Sequence, residues 1–350
     1  MPFFRHRCIT RKVGADHPLA GKRVYVPAMA EGSVEAVCAA MRWLGIDARP
    51  TPPSDARTLE LGSKYTGGDG CFPAKVTTGD FLKIAQQPGF DQKRTVFLMG
   101  TTDGPCRSGQ YAPFLRKVLR ELGYGEVRVY SPHGEHGYSD FQGFDTAFVR
   151  TAWRALVSAD ILRKLLLQTR PYEMEPGDAD RAYRESVSDL CKTIEQSCSS
   201  TPCQMRSLEA SLLRTRDRFH SVRAVFDRTR PLIGIVGEIY CRLNNFSNQE
   251  LVRRLEAQGA ECWMTLSPRV ARIAQTSQLR ANISHSPCPR SRCMGFILRF
   301  CSCKNGARGP TTRPRTVGWF RFQASDLAGA ENVQFAILRS HSRLGRVARE

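Results

Sequence analysis

Short apolar runs alternate with helical repeats along the first part of the chain. Residues 23–27 form a run rich in β-branched and aromatic side chains. Apolar residues then recur over residues 33–44 at the three- to four-residue spacing of one buried helix face, with Cys38 among them as a core residue. Extended chain returns at residues 46–50 after Gly45. This order of strand, helix and strand predicts a parallel βαβ unit.

The same alternation continues as far as residue 130. A helix predicted at about residues 78–87 precedes a buried strand at 95–99, an amphipathic helix then ends at Gly123, and a further strand follows at 126–130. In open α/β sheets, ligands bind beyond the carboxyl ends of the strands. The turns after the first strand and after residue 99 are therefore the expected places for a site.

Helical repeats dominate residues 144–226, and a second βαβ pattern begins at residue 231 with a helix capped near Ser247 or Asn248. The sequence therefore predicts an α/β architecture of two Rossmann-like parallel βαβ domains with an intervening helical segment. The predicted organisation is an N-terminal extension at 1–21, a first α/β domain at 22–143, the helical segment at 144–230, the start of a second α/β domain at 231–268, and a tail at 269–350.

Charge separates the tail from the rest of the chain. The 350 residues carry a net charge of +19, of which residues 1–268 hold +7 and residues 269–350 hold +12. An Arg- and Cys-rich tail can be a nucleic-acid arm or a zinc module, but this one has neither zinc-finger spacing nor an RNA-binding signature. We therefore expect a disordered or non-native tail, read out of frame, which leaves the second α/β domain truncated.

Signals for secretion or membrane insertion are missing from the sequence. The N-terminus lacks the basic and then apolar pattern of a signal peptide, and no run approaches about 18 apolar residues. We expect a soluble cytoplasmic protein that binds neither membrane nor nucleic acid. In that compartment the 13 cysteines indicate thiols and a metal site rather than disulfides.

Two glycine-rich turns place a cysteine at the start of a predicted helix. The sequence GGDGCFPA at residues 67–74 contains Cys71, and TTDGPCRSGQY at residues 101–111 contains Cys106. Glycine permits close backbone approach, and a helix start offers unpaired N–H donors and a positive dipole end. Such surroundings lower a thiol pKa and suit an anionic iron–sulfur cluster. Packing as a small buried residue is the competing interpretation.

A third cysteine occupies a comparable place in the second βαβ unit. Cys241 follows the strand at residues 231–240, within the sequence IVGEIYCRLNNFSN at residues 235–248. We take the three cysteines in turns as candidate metal ligands that converge where the two domains face each other. Three thiolates leave one iron of a cubane for solvent, substrate or another residue. His133 and His136, in a loop past a strand end, are further candidates for an acid, a base or a ligand.

These three segments resemble the iron–sulfur component of the 2-hydroxyacyl-CoA dehydratase and benzoyl-CoA reductase family. Gly79-Asp80, DIL at residues 160–162 and RPYE at residues 170–173 also resemble it. The dehydratase-like module of CoA enzyme activase proteins is the most similar part, and the resemblance runs from about residue 22 to residue 268. It implies a [4Fe–4S] cluster held by Cys71, Cys106 and Cys241. The expected cofactor-binding residues beside the cluster are Thr101, Thr102, Arg107 and Gln110.

The resemblance also implies partners and a reaction. In that family an ATP-dependent activase delivers one electron at low potential, and the dehydratase or reductase component passes it to a CoA thioester, which becomes a ketyl-type radical. The expected partners are therefore an activase protein or domain and an acyl-CoA substrate. No P-loop motif is present, so ATP hydrolysis is assigned to the activase.

Two other functions stay open at this point, and no catalytic residue is assigned. One is a non-catalytic electron-transfer or accessory module of a CoA enzyme activase. The other is a metal-free α/β binding protein whose cysteines only pack. Whether the chain is a lyase of the dehydratase type or an activase-associated component is not decided by its motifs.

Overall fold

The computed structural model describes residues 13–68, 70–101, 106–132, 146–196, 200–227 and 229–264, and two short strands at 319–320 and 336–339. The predictions for Thr102, His133 and His136 lie outside these residues. So do those for residues 1–12 and for most of the tail.

Four parallel strands form the first sheet, in the order β2-β1-β3-β4. The strands are β1 (Arg23–Val26), β2 (Asp47–Pro50), β3 (Thr95–Leu98) and β4 (Arg128–Tyr130). In the register of the sheet, Val24 lies opposite Ala48 on one side and Val96 on the other. The winding direction reverses between β1 and β3, which makes the carboxyl edge there the switch point at which α/β sheets bind ligands. The predicted α/β class is confirmed.

Helices cover both faces of this sheet. They are α1 (Ser33–Trp43), α2 (Ala56–Tyr65), α3 (Phe72–Ala85) and α4 (Tyr111–Glu121), with a 3-10 turn at Arg107–Gln110 before α4. The predicted start of α3 near residue 78 is wrong by about two turns. The helix begins directly after Cys71, because Pro73 is accepted in a first turn, where its missing N–H donor is not needed.

Helices α2 and α3 meet at two glycines. A Cβ atom added to Gly62 would lie 1.9 Å from the carbonyl oxygen of Lys75, and one added to Gly79 would lie 1.8 Å from the carbonyl oxygen of Thr58. The two backbones therefore touch with no space for a side chain. This contact fixes α3, and the cysteine at its start, against α2.

The helical segment consists of α5 (Thr146–Thr169), a 3-10 turn at Arg170–Tyr172, α6 (Asp178–Glu195) and α7 (Thr201–Ser221). Its apolar residues share one core with β1 and α1. Leu162, Leu190 and Phe219 are buried together with Val24 and Met41. The predicted helical segment is therefore present, and it packs on the first sheet instead of forming a core of its own.

A second, smaller sheet has the order β6-β5-β8-β7. It contains β5 (Leu232–Val236), β6 (Glu261–Trp263), β7 (Trp319–Phe320) and β8 (Ala336–Arg339), and the helices α8 (Ile239–Leu243) and α9 (Leu251–Ala257) connect β5 to β6. The pair β5 and β6 is parallel, whereas β8 runs antiparallel to β5 and to β7. The tail thus supplies two strands where the sequence predicts no regular element.

Arg170 ties the helical segment to the second sheet. Its guanidinium donates to both carboxylate oxygens of Glu256 on α9, at 2.7 and 3.0 Å, and to Asp180 on α6 at 3.1 Å. The side chains of Arg170 and Glu256 are only 9% and 8% exposed. Removing one partner of such a pair would leave an uncompensated buried charge. The pair therefore holds α9 against the turn that begins at Arg170.

No helix within the described residues is both long enough and apolar enough to cross a membrane.

Candidate functional site

Cys71 lies at the N-cap of α3 and is half-buried. Its carbonyl oxygen accepts the N–H groups of Ala74 at 3.0 Å and Lys75 at 3.3 Å, the bonds of a first helical turn. Its Sγ atom accepts a hydrogen bond from the hydroxyl of Tyr111 at 2.9 Å. Tyr111 is the first residue of α4, 40 residues further along the chain. The two cysteine turns predicted from the sequence are therefore joined through this side chain.

Cys106 is exposed at the N-cap of the 3-10 turn before α4, where its Sγ accepts the hydroxyl of Ser108 at 3.3 Å. Thr101 holds this turn in place. Its hydroxyl donates to the carbonyl of Gly109 at 3.3 Å, and its N–H donates to the carbonyl of Pro132 at 3.1 Å. The contacts of Thr101 thus fasten the turn, and its predicted role toward a cofactor remains a prediction.

Three residues act electrostatically on the hydroxyl of Tyr111. Its pKa is raised mainly by burial, then by the hydrogen bond to Cys71, and further by the negative charges that Cys71, Cys106 and Glu238 can carry. The phenol therefore keeps its proton and remains a donor at neutral pH. Residues 71, 106 and 238 each lie close enough to Tyr111 for a charge on them to act on its hydroxyl.

Cys241 is placed differently from the sequence prediction. It lies inside the short helix α8, which was not predicted, and it is only 2% exposed. Its N–H donates to the carboxylate of Glu238, the N-cap of that helix, at 2.8 Å. Burial raises the pKa of the Cys241 thiol to about 12, with further increases from the charges of Glu238 and Cys71. Binding a metal here requires the loss of a firmly held proton.

Helix α8 reaches the carboxyl edge of the first sheet. The Nδ2 atom of Asn244, directly after α8, donates to the carbonyl of Ala28 at 3.0 Å and to the hydroxyl of Ser54 at 3.4 Å. Ala28 belongs to the loop that follows β1, next to the switch point. The first and second α/β units therefore meet at this edge. Whether the three thiols converge on one cluster stays a prediction.

A buried carboxyl group lies under the same edge. Asp80 on α3 is 0% exposed and accepts the hydroxyls of Ser54 at 2.8 Å and Thr58 at 2.7 Å. Burial raises the pKa of Asp80 to about 6, although the two hydroxyls and Lys83 oppose the rise. The buried Tyr240 of α8 is close enough for the Asp80 charge to raise the pKa of its phenol. Asp80 thus links α3 to the second α/β unit, through Tyr240 and through Ser54, whose hydroxyl also accepts a hydrogen bond from the Asn244 amide.

Replacing Asp80 by asparagine should change how stability depends on pH. Because the folded-state pKa of about 6 exceeds the ordinary value of 3.8, folding favours the protonated acid, and this contribution is lost as pH rises from about 4 to 6. Two pKa units correspond to roughly 3 kcal/mol. We expect Asp80→Asn to gain up to that much free energy of unfolding relative to the natural protein between pH 4 and pH 7, measured by urea unfolding.

Asp16→Asn is the matched control, since Asp16 is exposed. The control should follow the natural protein at every pH. If Asp80→Asn also follows the natural protein, the raised pKa of Asp80 is contradicted.

Two side chains of this region were not recognised from the sequence. The ring of Tyr111 packs partly buried against the core between the first sheet and helices α3 and α4, as an apolar residue of its helix would. Its polar tip, at the first residue of a helix that follows a cysteine turn, was the available signal. Glu238 stands three residues before Cys241, and an acidic residue at a helix start is a capping signal.

The donor set of the site can be compared with what metals require. Within the described ranges, no three His, Cys, Asp or Glu side chains are grouped as the ligands of one metal ion are. The described residues therefore give no support to a site for a single metal ion of any kind. The thiolates of a cubane bind separate irons, with sulfurs about 6–7 Å apart and Fe–S bonds of about 2.3 Å, so a cubane needs a wider arrangement. Soft thiols, one of them hydrogen-bonded to a phenol, fit iron–sulfur chemistry.

Comparisons of the chain with protein-family models, with curated proteins and with solved structures find no match. The family resemblance therefore rests on the sequence motifs alone.

Proposed function

We propose that this chain is the [4Fe–4S]-binding component of a system like the 2-hydroxyacyl-CoA dehydratases and benzoyl-CoA reductases. In this proposal it receives a low-potential electron from an ATP-dependent activase protein or domain. The observation that supports it best is the hydrogen bond from Tyr111 to the Cys71 sulfur, which joins two cysteine turns next to the switch point of a parallel sheet. Cysteines that only pack do not need such a shared environment.

The cluster is proposed to be held by Cys71, Cys106 and Cys241, with one iron left for another ligand. When bound, it supplies the ability to accept and release one electron at low potential. Cys106 is exposed and Cys71 is half-buried, so both are accessible for binding, whereas Cys241 is covered. The second α/β unit is proposed to close over the cluster from this side.

Residues around the thiols have separate tasks in this proposal. Thr101 keeps the turn before Cys106 in shape through its bonds to backbone carbonyls. Asn244 holds the second unit at the sheet edge. Arg107 and Gln110 are exposed on the turn between Cys106 and α4, where they can donate hydrogen bonds to an anionic cofactor or to an acyl-CoA phosphate. No residue is assigned to the chemistry on the thioester.

Anaerobic purification of the full chain, followed by iron and acid-labile sulfide analysis, tests the proposal. About four irons and four sulfides per chain, with a paramagnetic signal on reduction, are expected for one cubane. A colourless protein without iron after anaerobic reconstitution contradicts it. Turnover of CoA thioesters with an activase then separates an enzyme component from an accessory electron-transfer module, because only the former consumes the thioester.

The metal-free α/β binding protein remains a second candidate because of one observation. Cys241 is packed inside a helix with a raised thiol pKa and a carboxylate nearby, which is typical of a structural cysteine. If this second function is right, the iron analysis gives no cluster and the thiols remain free.

A further inference from the structure

The ring of Tyr111 is held by the start of α4. Directly after it, Ala112, Leu115 and Leu119 are buried in the core of the first sheet, and the tyrosine ring packs partly buried against the same core. A helix whose next turns are anchored in this way gives its first side chain little freedom. The hydroxyl is therefore presented to the Cys71 sulfur in a defined direction, at 2.9 Å.

We propose that Tyr111 is a positioning residue that sets the reduction potential of the cluster by donating a hydrogen bond to the Cys71 sulfur. This inference rests on the function proposed above. A hydrogen bond to a ligand sulfur withdraws electron density from it and stabilises the reduced, more negative cluster, so the potential rises. The hydroxyl of Ser108 stands in the same relation to the sulfur of Cys106, but on an exposed turn where water competes for the bond.

The position of Tyr111 also explains why a tyrosine serves here better than a smaller donor. Cys71 and the donor belong to different helices. The donor side chain must therefore reach from the core beside α4 to the sulfur at the N-cap of α3. A phenol does this with two rotatable bonds, one apolar body and one polar tip. Phenylalanine in the same place keeps the packing and removes only the hydrogen bond.

The test compares Tyr111→Phe with a matched control, Tyr124→Phe. Tyr124 packs against the same core and loses the same hydroxyl, near the other end of α4. Both full-length variants and the natural chain are reconstituted anaerobically with iron and sulfide. Iron content is measured first, and a redox titration followed by electron paramagnetic resonance then gives the midpoint potential of each.

Tyr111→Phe is expected to retain its iron and to have a lower midpoint potential. At a fixed applied potential, the ratio of oxidised to reduced cluster should increase about tenfold, which is about 59 mV for a one-electron couple. Tyr124→Phe should leave the potential unchanged.

Three results overturn the inference in distinguishable ways. Full iron content with an unchanged potential in Tyr111→Phe rejects the role of Tyr111 and leaves the proposed function standing. Loss of iron from a folded Tyr111→Phe protein shows that the hydroxyl is required for binding rather than for tuning. An absence of iron from the natural chain rejects the proposed function, and the inference with it.

Discussion

Replacing Cys71 or Cys106 by serine is expected to lower the iron content of the reconstituted protein from about four atoms per chain to less than one. A serine hydroxyl remains protonated at neutral pH and binds iron far more weakly than a thiolate does. Cys241→Ser should have the same effect if the buried thiol of α8 is the third ligand. Iron and sulfide analysis after anaerobic gel filtration measures the loss.

Cys38→Ala and Cys191→Ala serve as controls for the cysteine variants. Both side chains are buried in the large core shared by the first sheet and the helical segment. Burial raises the pKa of both thiols to about 12. These variants should be less stable but keep the cluster. Full iron content in any one of the three turn variants removes that cysteine from the site.

Gly79→Ala is expected to destabilise the protein by about 3 kcal/mol or more. The added methyl group would lie 1.8 Å from the carbonyl oxygen of Thr58, and a backbone atom cannot move aside without shifting α2. Intrinsic helix propensity acts in the opposite direction, since alanine is better than glycine in a helix by about 1 kcal/mol. A lower free energy of unfolding for Gly79→Ala therefore indicates that the α2 and α3 backbones touch, whereas a higher one indicates that they do not.

Gly68→Ala is the control for this prediction. Gly68 lies in the segment between the same two helices, and a Cβ atom there meets nothing within 4 Å. Urea unfolding of the metal-free proteins gives both free energies without interference from a cofactor. Equal stability of Gly79→Ala and the natural protein would show that the two helices are further apart.

The sequence predicts most of the first sheet because α1 and α4 repeat their apolar positions at helical spacing and because β1 and β3 are short runs rich in β-branched and aromatic residues. Helix α1 and the strand β3 are examples, with Cys38 and Val96 fully buried as the pattern indicates. Helix α2 was missed because only a few of its positions are buried, and its capping box at Asp55 and Thr58 is a local signal without an apolar stripe.

The candidate site was only partly predictable for a different reason. Helix α8 has five residues, which is too short for periodicity to distinguish it from a loop. The burial of Cys241 depends on how the second unit packs on the first. The contact between Tyr111 and Cys71 is likewise set by tertiary structure, because no local pattern relates residues 40 positions apart.

The placement of α8 against the loop after β1 also bears on how the protein is made. Asn244 and Ala28 are 216 residues apart in sequence, so their contact forms only after the whole helical segment has been synthesised. A growing chain generally folds from its N-terminus, and its first sheet would present the thiols of Cys71 and Cys106 before α8 exists. On the proposed function, these two thiols are open to oxidation before the third ligand has been synthesised. Cluster insertion is then a late step of biogenesis.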